Sequence, residues 1–318
     1  MDPDLLVGDI GGTNGRFGLV DPDGLRPRRV LVEEGAAHAS FAAALAAYLD
    51  KTGARPRRAA LAVAGPVGED GRARVTNRPS WEMDPRDLKR RFGFDDVLVI
   101  NDFVAQAASL PHLDPSETVP IGAASPRGDV KAAVGPGTGL GVAALIPDGG
   151  GWRPLASEGG HVDFAPLDAV EAAAFEIIRR KTGRVSAEHV VSGPGLARLH
   201  DALAEAEGLS LPGIAPGEIA AAAAAGEPQA LATARLFLTM LARFAGDVAL
   251  TFGARGGVHL CGGVTPNLMP VLDPEAFRAA FEAKSPHEAM MRGIATVVVT
   301  SPVAGLVGAA AVATRARG

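Results

Sequence analysis

Apolar residues run through this chain in short blocks broken by glycine and charge, and two of the blocks share one plan. LLVGDIGGTNGRFGLV (residues 5–20) and AAVGPGTGLGVAALI (residues 132–146) each set an apolar segment, a glycine- and threonine-rich turn and a second apolar segment in succession. The pattern predicts two hairpins with glycine tips. Neither turn opens a helix, whereas Rossmann and Walker phosphate loops need a helix start directly after the turn. A tip built from Gly11, Gly12, Thr13 and Asn14, or from Gly137, Thr138 and Gly139, can aim backbone N–H groups and a hydroxyl at a phosphate without obstruction.

Alternation predicts further strands at 29–33, 59–64 and 97–100, with helices at 40–52 and 85–92. The order implies a mixed sheet with an antiparallel start and right-handed crossovers, which is not a doubly wound Rossmann sheet. A helical segment at 103–110 ends at Pro111, and the polar stretch 112–129 precedes the second glycine hairpin, so the domain boundary is placed there. Beyond it the pattern predicts helices at 169–182, 195–207, 217–225 and 227–252, then a strand at 258–261. The alanine run 220–225 is strong helix-former sequence and carries no chemistry. Residues 295–314 lack charge over a length able to span a bilayer, but they divide. A β-branched strand (297–300), Ser301 and Pro302 as cap and first helical position, and an alanine-rich helix (303–313) predict a buried pair instead.

With 318 residues, 47% of them apolar, the chain exceeds what one core usually serves, and two lobes around a cleft are expected. The charge is mixed (31 Lys and Arg against 36 Asp and Glu) and the basic clusters are short, which argues against nucleic acid as a partner. Cys261 stands in an apolar run as a small hydrophobe; with no second cysteine the chain has no internal disulfide, which fits a reducing cytoplasm. The opening Met1, Asp2, Pro3, Asp4 lacks the basic region of a secretory signal. GxxxxGK[ST], HExxH, GxSxG and CxxC are all missing, which removes the usual support for P-loop hydrolysis, zinc hydrolysis and serine esterase chemistry. His38, His112, His189, His200, His259 and His287 form no metal-ligand spacing.

Several polar residues stand where chemistry is possible. VLVINDF puts Asn101 and Asp102 at the end of a buried strand, where a carboxylate can take a proton from a substrate hydroxyl or can simply cap the next helix. In SEGGHVDF, Glu158 and His161 stand three apart, but Gly159 and Gly160 disfavour the helix that a metal pair would need, so both are expected on a loop. Glu188 reads equally as an exposed acid in a helical first turn. Asp9 ends an apolar strand and suits either a hydrated Mg²⁺ or a turn. Gly262 and Gly263 allow adenine to approach backbone, or a tight packing point.

Read together, GDIGGTN (8–14), AGPV (64–67), TNRPSW (76–81), INDF (100–103), GPGTGLG (135–141), EGGHVDFAP (158–166), SAEHVVSGPGL (186–196) and GGV (262–264) resemble, in order, the bacterial glucokinase family outside the ROK group. The resemblance implies an α/β, two-domain actin-like, hexokinase-like ATPase fold with an interdomain cleft. It implies a small domain (1–110, joined by a terminal helix 302–318) and a large one (111–301). By the same resemblance Asp102 takes the proton of the glucose 6-hydroxyl, while Asn77, Asn101, Glu158, His161 and Glu188 hold the sugar. Gly8, Asp9, Ile10, Gly11, Gly12, Thr13, Asn14, Gly137 and Thr138 are implied at the ATP phosphates, Gly262 and Gly263 at adenosine, and Asp9 acts on Mg²⁺ through water.

Gly15 and Pro136 depart from the family pattern, where alanine and a small residue are commoner, without removing a proposed contact. With one cysteine, the zinc motif of ROK kinases is absent, so His161 is expected on sugar and not on metal. The implied partners are glucose and ATP, with no nucleic acid and no membrane, and a homodimer in the cytoplasm. A kinase for another hexose or an N-acetylated amino sugar, and a non-catalytic sugar sensor, are the alternatives.

Overall fold

The first glycine hairpin forms as alternation predicts: β1 (Leu5–Ile10) pairs antiparallel with β2 (Asn14–Val20), Leu5 opposite Val20 and Ile10 opposite Gly15. The computed structural model describes residues 4–22, 24–209 and 213–315. Residues 1–3 and the last three residues of the expected terminal helix, 316–318, lie outside the described residues. The described chain packs as two compact units, one running up to Glu117 and including Asp148–Ala156 and the chain from Ser301, the other made of Thr118–Pro147 and Ser157–Thr300.

In the first unit β3 (Arg28–Glu34) continues the meander and α1 (Phe41–Thr52) follows, with the Ser40 hydroxyl accepting from Ala43 N and Gly53 closing the helix at φ 63°. β4 (Arg58–Val63) comes next, and a hairpin that the sequence pattern did not predict intervenes, β5 (Ala73–Val75) with β6 (Arg78–Met83). After α2 (Pro85–Phe92) come β7 (Asp96–Asn101) and α3 (Asp102–Ser109). The sheet order is β3-β2-β1-β4-β7, antiparallel through the meander and parallel from β1 onward.

Alternate residues of the strands serve opposite faces of this sheet. Leu6, Ile10, Phe17 and Leu61 pack with Phe41, Leu45, Tyr48 and Trp81 on one face. Leu5, Val7, Ala60 and Ala62 pack with Ala105 of α3 and with apolar residues of the chain's last helix on the other.

The second unit opens with β8 (Thr118–Ile121), β9 (Lys131–Pro136) and β10 (Leu140–Asp148), β9 and β10 forming the second glycine hairpin. The strand β11 (Gly151–Ser157) is followed by α4 (Ala169–Thr182), α5 (Ala187–Val190), α6 (Gly193–Ala206), α7 (Pro216–Ala224) and α8 (Pro228–Phe252). Then come β12 (Gly257–Leu260), α9 (Val264–Leu268), α10 (Pro274–Glu282), α11 (Glu288–Arg292) and β13 (Thr296–Val299). In the six-stranded sheet the run β10-β9-β12-β13-β8 lies within this unit, with β9, β12 and β13 parallel to one another. β9 is buried at every position, and α8 supplies Phe237, Leu241, Phe244 and Val248 to the same core. Pro120 is tolerated because β8 is an edge strand.

The uncharged segment 295–314 divides as expected into buried β13 and the final helix α12 (Ala304–Arg315). The helix starts later than predicted. Ser301 does not cap at Pro302; its hydroxyl accepts from Val303 N at 3.4 Å and donates to Glu117 at 2.6 Å. α12 packs on α3 almost backbone to backbone, since a Cβ on Gly308 would lie 1.7 Å from Ala105 O. Among the described residues no helix is long and apolar enough to cross a membrane.

Candidate active site

Parallel strands β1, β4 and β7 end at one edge of the first sheet, with Ile10 level with Val63 and Val63 level with Asn101. The backbones of Ile10 and Asn101 therefore stand about 10 Å apart, two inter-strand spacings, with Asp9 one residue back along β1. The helix cap is Asn101 and not Asp102: the Asn101 Oδ1 accepts from Phe103 N (2.9 Å) and Val104 N (3.3 Å), while its amide donates to Gly65 O (3.4 Å). Asp102 occupies the first helical position, where its Oδ1 accepts from Phe103 N at 3.0 Å. Asp102 therefore stands in the first turn, at the positive end of α3.

The tip 11–14 is held from several sides. Gly11 N donates to Asn14 O and Gly35 N to Thr13 O, and a Cβ on Gly12 would meet Asn77 Cβ at 3.2 Å, which puts Asn77 beside the tip. A Cβ on Gly8 would come within 2.8 Å of Leu61 Cδ2, and the Ile10 side chain is fully buried, so both side-chain positions face the packed core. Asp9 keeps partial exposure and has Arg16 Nη1 at 3.8 Å. Desolvation pushes its carboxyl above the ordinary value, with Arg16 opposing.

Arg78 escaped the sequence reading, although TNRPSW contains it. Its Nε donates to Gly12 O at 3.1 Å, a second guanidinium nitrogen donates to Gly35 O, and the group lies 5.3 Å over the Trp81 ring. The only sequence signal was a cation two residues after a threonine in a turn, which is too common to notice.

In the second unit Gly137–Gly139 forms the tip between β9 and β10, closed by Gly137 N to Gly139 O at 2.8 Å. β12 runs parallel to β9, and Gly262, at φ 83°, follows it so closely that a Cβ would meet Pro136 O at 2.7 Å. The two glycine segments thus leave the ends of neighbouring strands. Cβ atoms on Gly137 or Gly263 would meet nothing within 4 Å, so both glycines border open space. Cys261, just before Gly262, is buried, and burial pushes its thiol up to about 12, which makes it inert.

Glu158, His161 and Glu188 come together. His161 Nε2 lies 3.8 Å from Glu158 Oε2, and its Nδ1 lies 3.8 Å from Glu188 Oε1. A single 3₁₀ turn (Gly159–His161), not a plain loop, carries the first pair. Backbone bonds from Ala187 N to Val162 O and from Phe164 N to Val185 O bring the distant Glu188 segment alongside. Glu188 is less exposed than a first-turn acid should be, because its Oε2 accepts from Leu140 N at 2.8 Å. Among the described residues no group of three or more His, Cys, Asp or Glu is arranged to hold a metal ion.

Comparison with known proteins points to one family. The family model described as Glucokinase matches residues 6–316. A glucokinase of Mesorhizobium japonicum is 41% identical over 312 residues, 97% of this chain and 91% of that protein. A glucokinase of Caulobacter vibrioides is 42% identical over 311 residues, covering 96% and 93%. The crystal structure of a glucokinase from an Antarctic psychrotroph superposes with TM-score 0.85 at 34% identity, covering 98% of each chain. That of Balamuthia mandrillaris glucokinase, determined in complex with glucose, gives TM-score 0.83 at 25% identity, covering 98% and 93%. The fold is therefore the α/β actin-like, hexokinase-like fold of sugar kinases, and the chain belongs to the Glucokinase family.

Proposed function

We propose that this protein transfers the γ-phosphoryl group of ATP to the 6-hydroxyl of glucose, releasing glucose 6-phosphate and ADP. Family membership supports the reaction class, and one observation carries the assignment of roles: an acid in the first turn of α3 stands at the same sheet edge as a glycine tip with an aspartate at its base. In this reading the Asp102 carboxylate accepts the O6 proton as O6 bonds to the γ-phosphorus and the bond to the ADP oxygen breaks. Such general-base help is worth about 10² to 10⁴ in rate. The proton then leaves Asp102 for solvent.

Asn77, Asn101, Glu158, His161 and Glu188 hold the sugar hydroxyls. A polyol needs many fixed donors and acceptors, and a wrong stereoisomer leaves some of them buried and unpaired. Residues 11–14 and the turn Gly137–Thr138 hold the phosphates, and Gly262 and Gly263 border adenosine. The division into a domain of 1–110 with 302–318 and one of 111–301 belongs to the same proposal.

Mg²⁺ keeps several waters and takes one or two carboxylates besides substrate phosphates, so the single carboxylate of Asp9 beside a phosphate tip is a fitting donor set. Bound there, the ion would neutralise phosphate charge. A homodimer in the cytoplasm completes the reading. ADP release measured across a panel of sugars with Mg·ATP tests it: glucose should be the preferred acceptor, and preference for a 2-acetamido sugar, or no release with any sugar, overturns it.

A further inference from the structure

We infer that Glu188, beyond any contact with sugar, is the positioning residue that holds the second glycine turn ready for nucleotide phosphate, an inference that rests on the phosphotransfer reading above. One short segment grips both ends of that turn. At its entrance Gly193 N donates to Gly137 O at 2.7 Å; at its exit Glu188 Oε2 accepts from Leu140 N at 2.8 Å. The segment is itself braced, because the Ser192 hydroxyl donates to Glu188 O at 2.8 Å.

The fit leaves no slack, since a Cβ on Gly139 would lie 2.5 Å from Glu188 Oε2. Glycine turns lose more conformational freedom on ordering than any other sequence, so their N–H groups present a fixed nest only when the ends are tied. The two carboxylate oxygens divide the work. Oε2 is committed to Leu140, while Oε1 faces His161 at 3.8 Å and is the oxygen left for a sugar hydroxyl. One side chain therefore meets both the glycine turn and His161.

Glutamine separates the two duties, because its amide oxygen still accepts from Leu140 N while its NH₂ replaces Oε1. The test is calorimetric binding of Mg·ADP without sugar, beside glucose binding without nucleotide, for the wild type, Glu188→Gln, Glu188→Ala and Gly139→Ala. Glu188→Ala and Gly139→Ala should each weaken Mg·ADP about tenfold or more, equivalent to about 1.4 kcal/mol. Glu188→Gln should bind Mg·ADP within twofold of wild type but lose glucose affinity more than tenfold. The inference fails if a folded Glu188→Ala or Gly139→Ala binds Mg·ADP like the wild type, or if Glu188→Gln weakens Mg·ADP tenfold. Should the alanine variants not fold, the glutamine variant alone decides it. Glucose-dependent ADP release by the wild type checks the underlying reading separately from these affinities.

Discussion

Gly305, in the first turn of α12, lies against Asp9 so closely that a Cβ there would come within 2.7 Å of Asp9 Oδ2. The last helix of the chain thus sets the position of a carboxylate at its beginning. Gly305→Ala should push Asp9 off its present line and lower turnover with Mg·ATP at least tenfold. Steady-state kinetics across Mg²⁺ concentrations would check this, with the loss expected in kcat at every Mg²⁺ concentration. A wild-type kcat would show that Asp9 tolerates displacement.

Arg243 and Glu171 form a buried pair in the second unit, with Arg243 Nη1 2.6 Å from both carboxylate oxygens, Nη2 on Ala165 O at 2.7 Å and the guanidinium 4.9 Å from the Phe164 ring. Leu167 N donates to Glu171 Oε2, so the pair anchors the chain just beyond His161. Arg243→Met strands a buried carboxylate and should cost about 3–5 kcal/mol in urea unfolding. Arg243→Met with Glu171→Leu should recover most of that loss, because two apolar side chains leave no charge unpaired.

Most of the fold was legible because period-two and period-3.6 apolar patterns report burial directly, as in β1, α4 and α8. The β5–β6 hairpin was not: Ala73, Val75, Trp81 and Met83 reach the core, but Arg78, Pro79 and Ser80 open β6 with no apolar alternation. At the site, Asp9, Asn101, Asp102 and both glycine tips were legible because each sits at the end of an apolar run. The second roles were hidden. Glu188 takes its partner from 48 residues away and Arg78 from 66, and no local pattern encodes such separations.

His259 on β12 is buried, its Nδ1 has no hydrogen-bond partner among the described residues, and burial with Lys131 nearby depresses its pKa from 6.5 to about 4. Between those values the unfolded chain binds the proton and the folded chain does not. Stability contributed by the neutral ring is thus complete above pH 6.5 and is lost as pH falls toward 4, by about 3 kcal/mol at 1.36 kcal/mol per unit. His259→Leu should flatten this part of a pH–stability curve measured by urea unfolding. An unchanged slope would assign the acid sensitivity to other groups.

In the proposed reaction the Asp102 carboxylate removes the proton from the sugar hydroxyl. Its most direct test is single-turnover and steady-state phosphorylation of glucose by Asp102→Asn, alongside glucose binding measured calorimetrically. Glucose affinity should stay within a few-fold of the wild type while turnover falls by about 10² to 10⁴. Turnover within tenfold of the wild type, with glucose still bound, would contradict it.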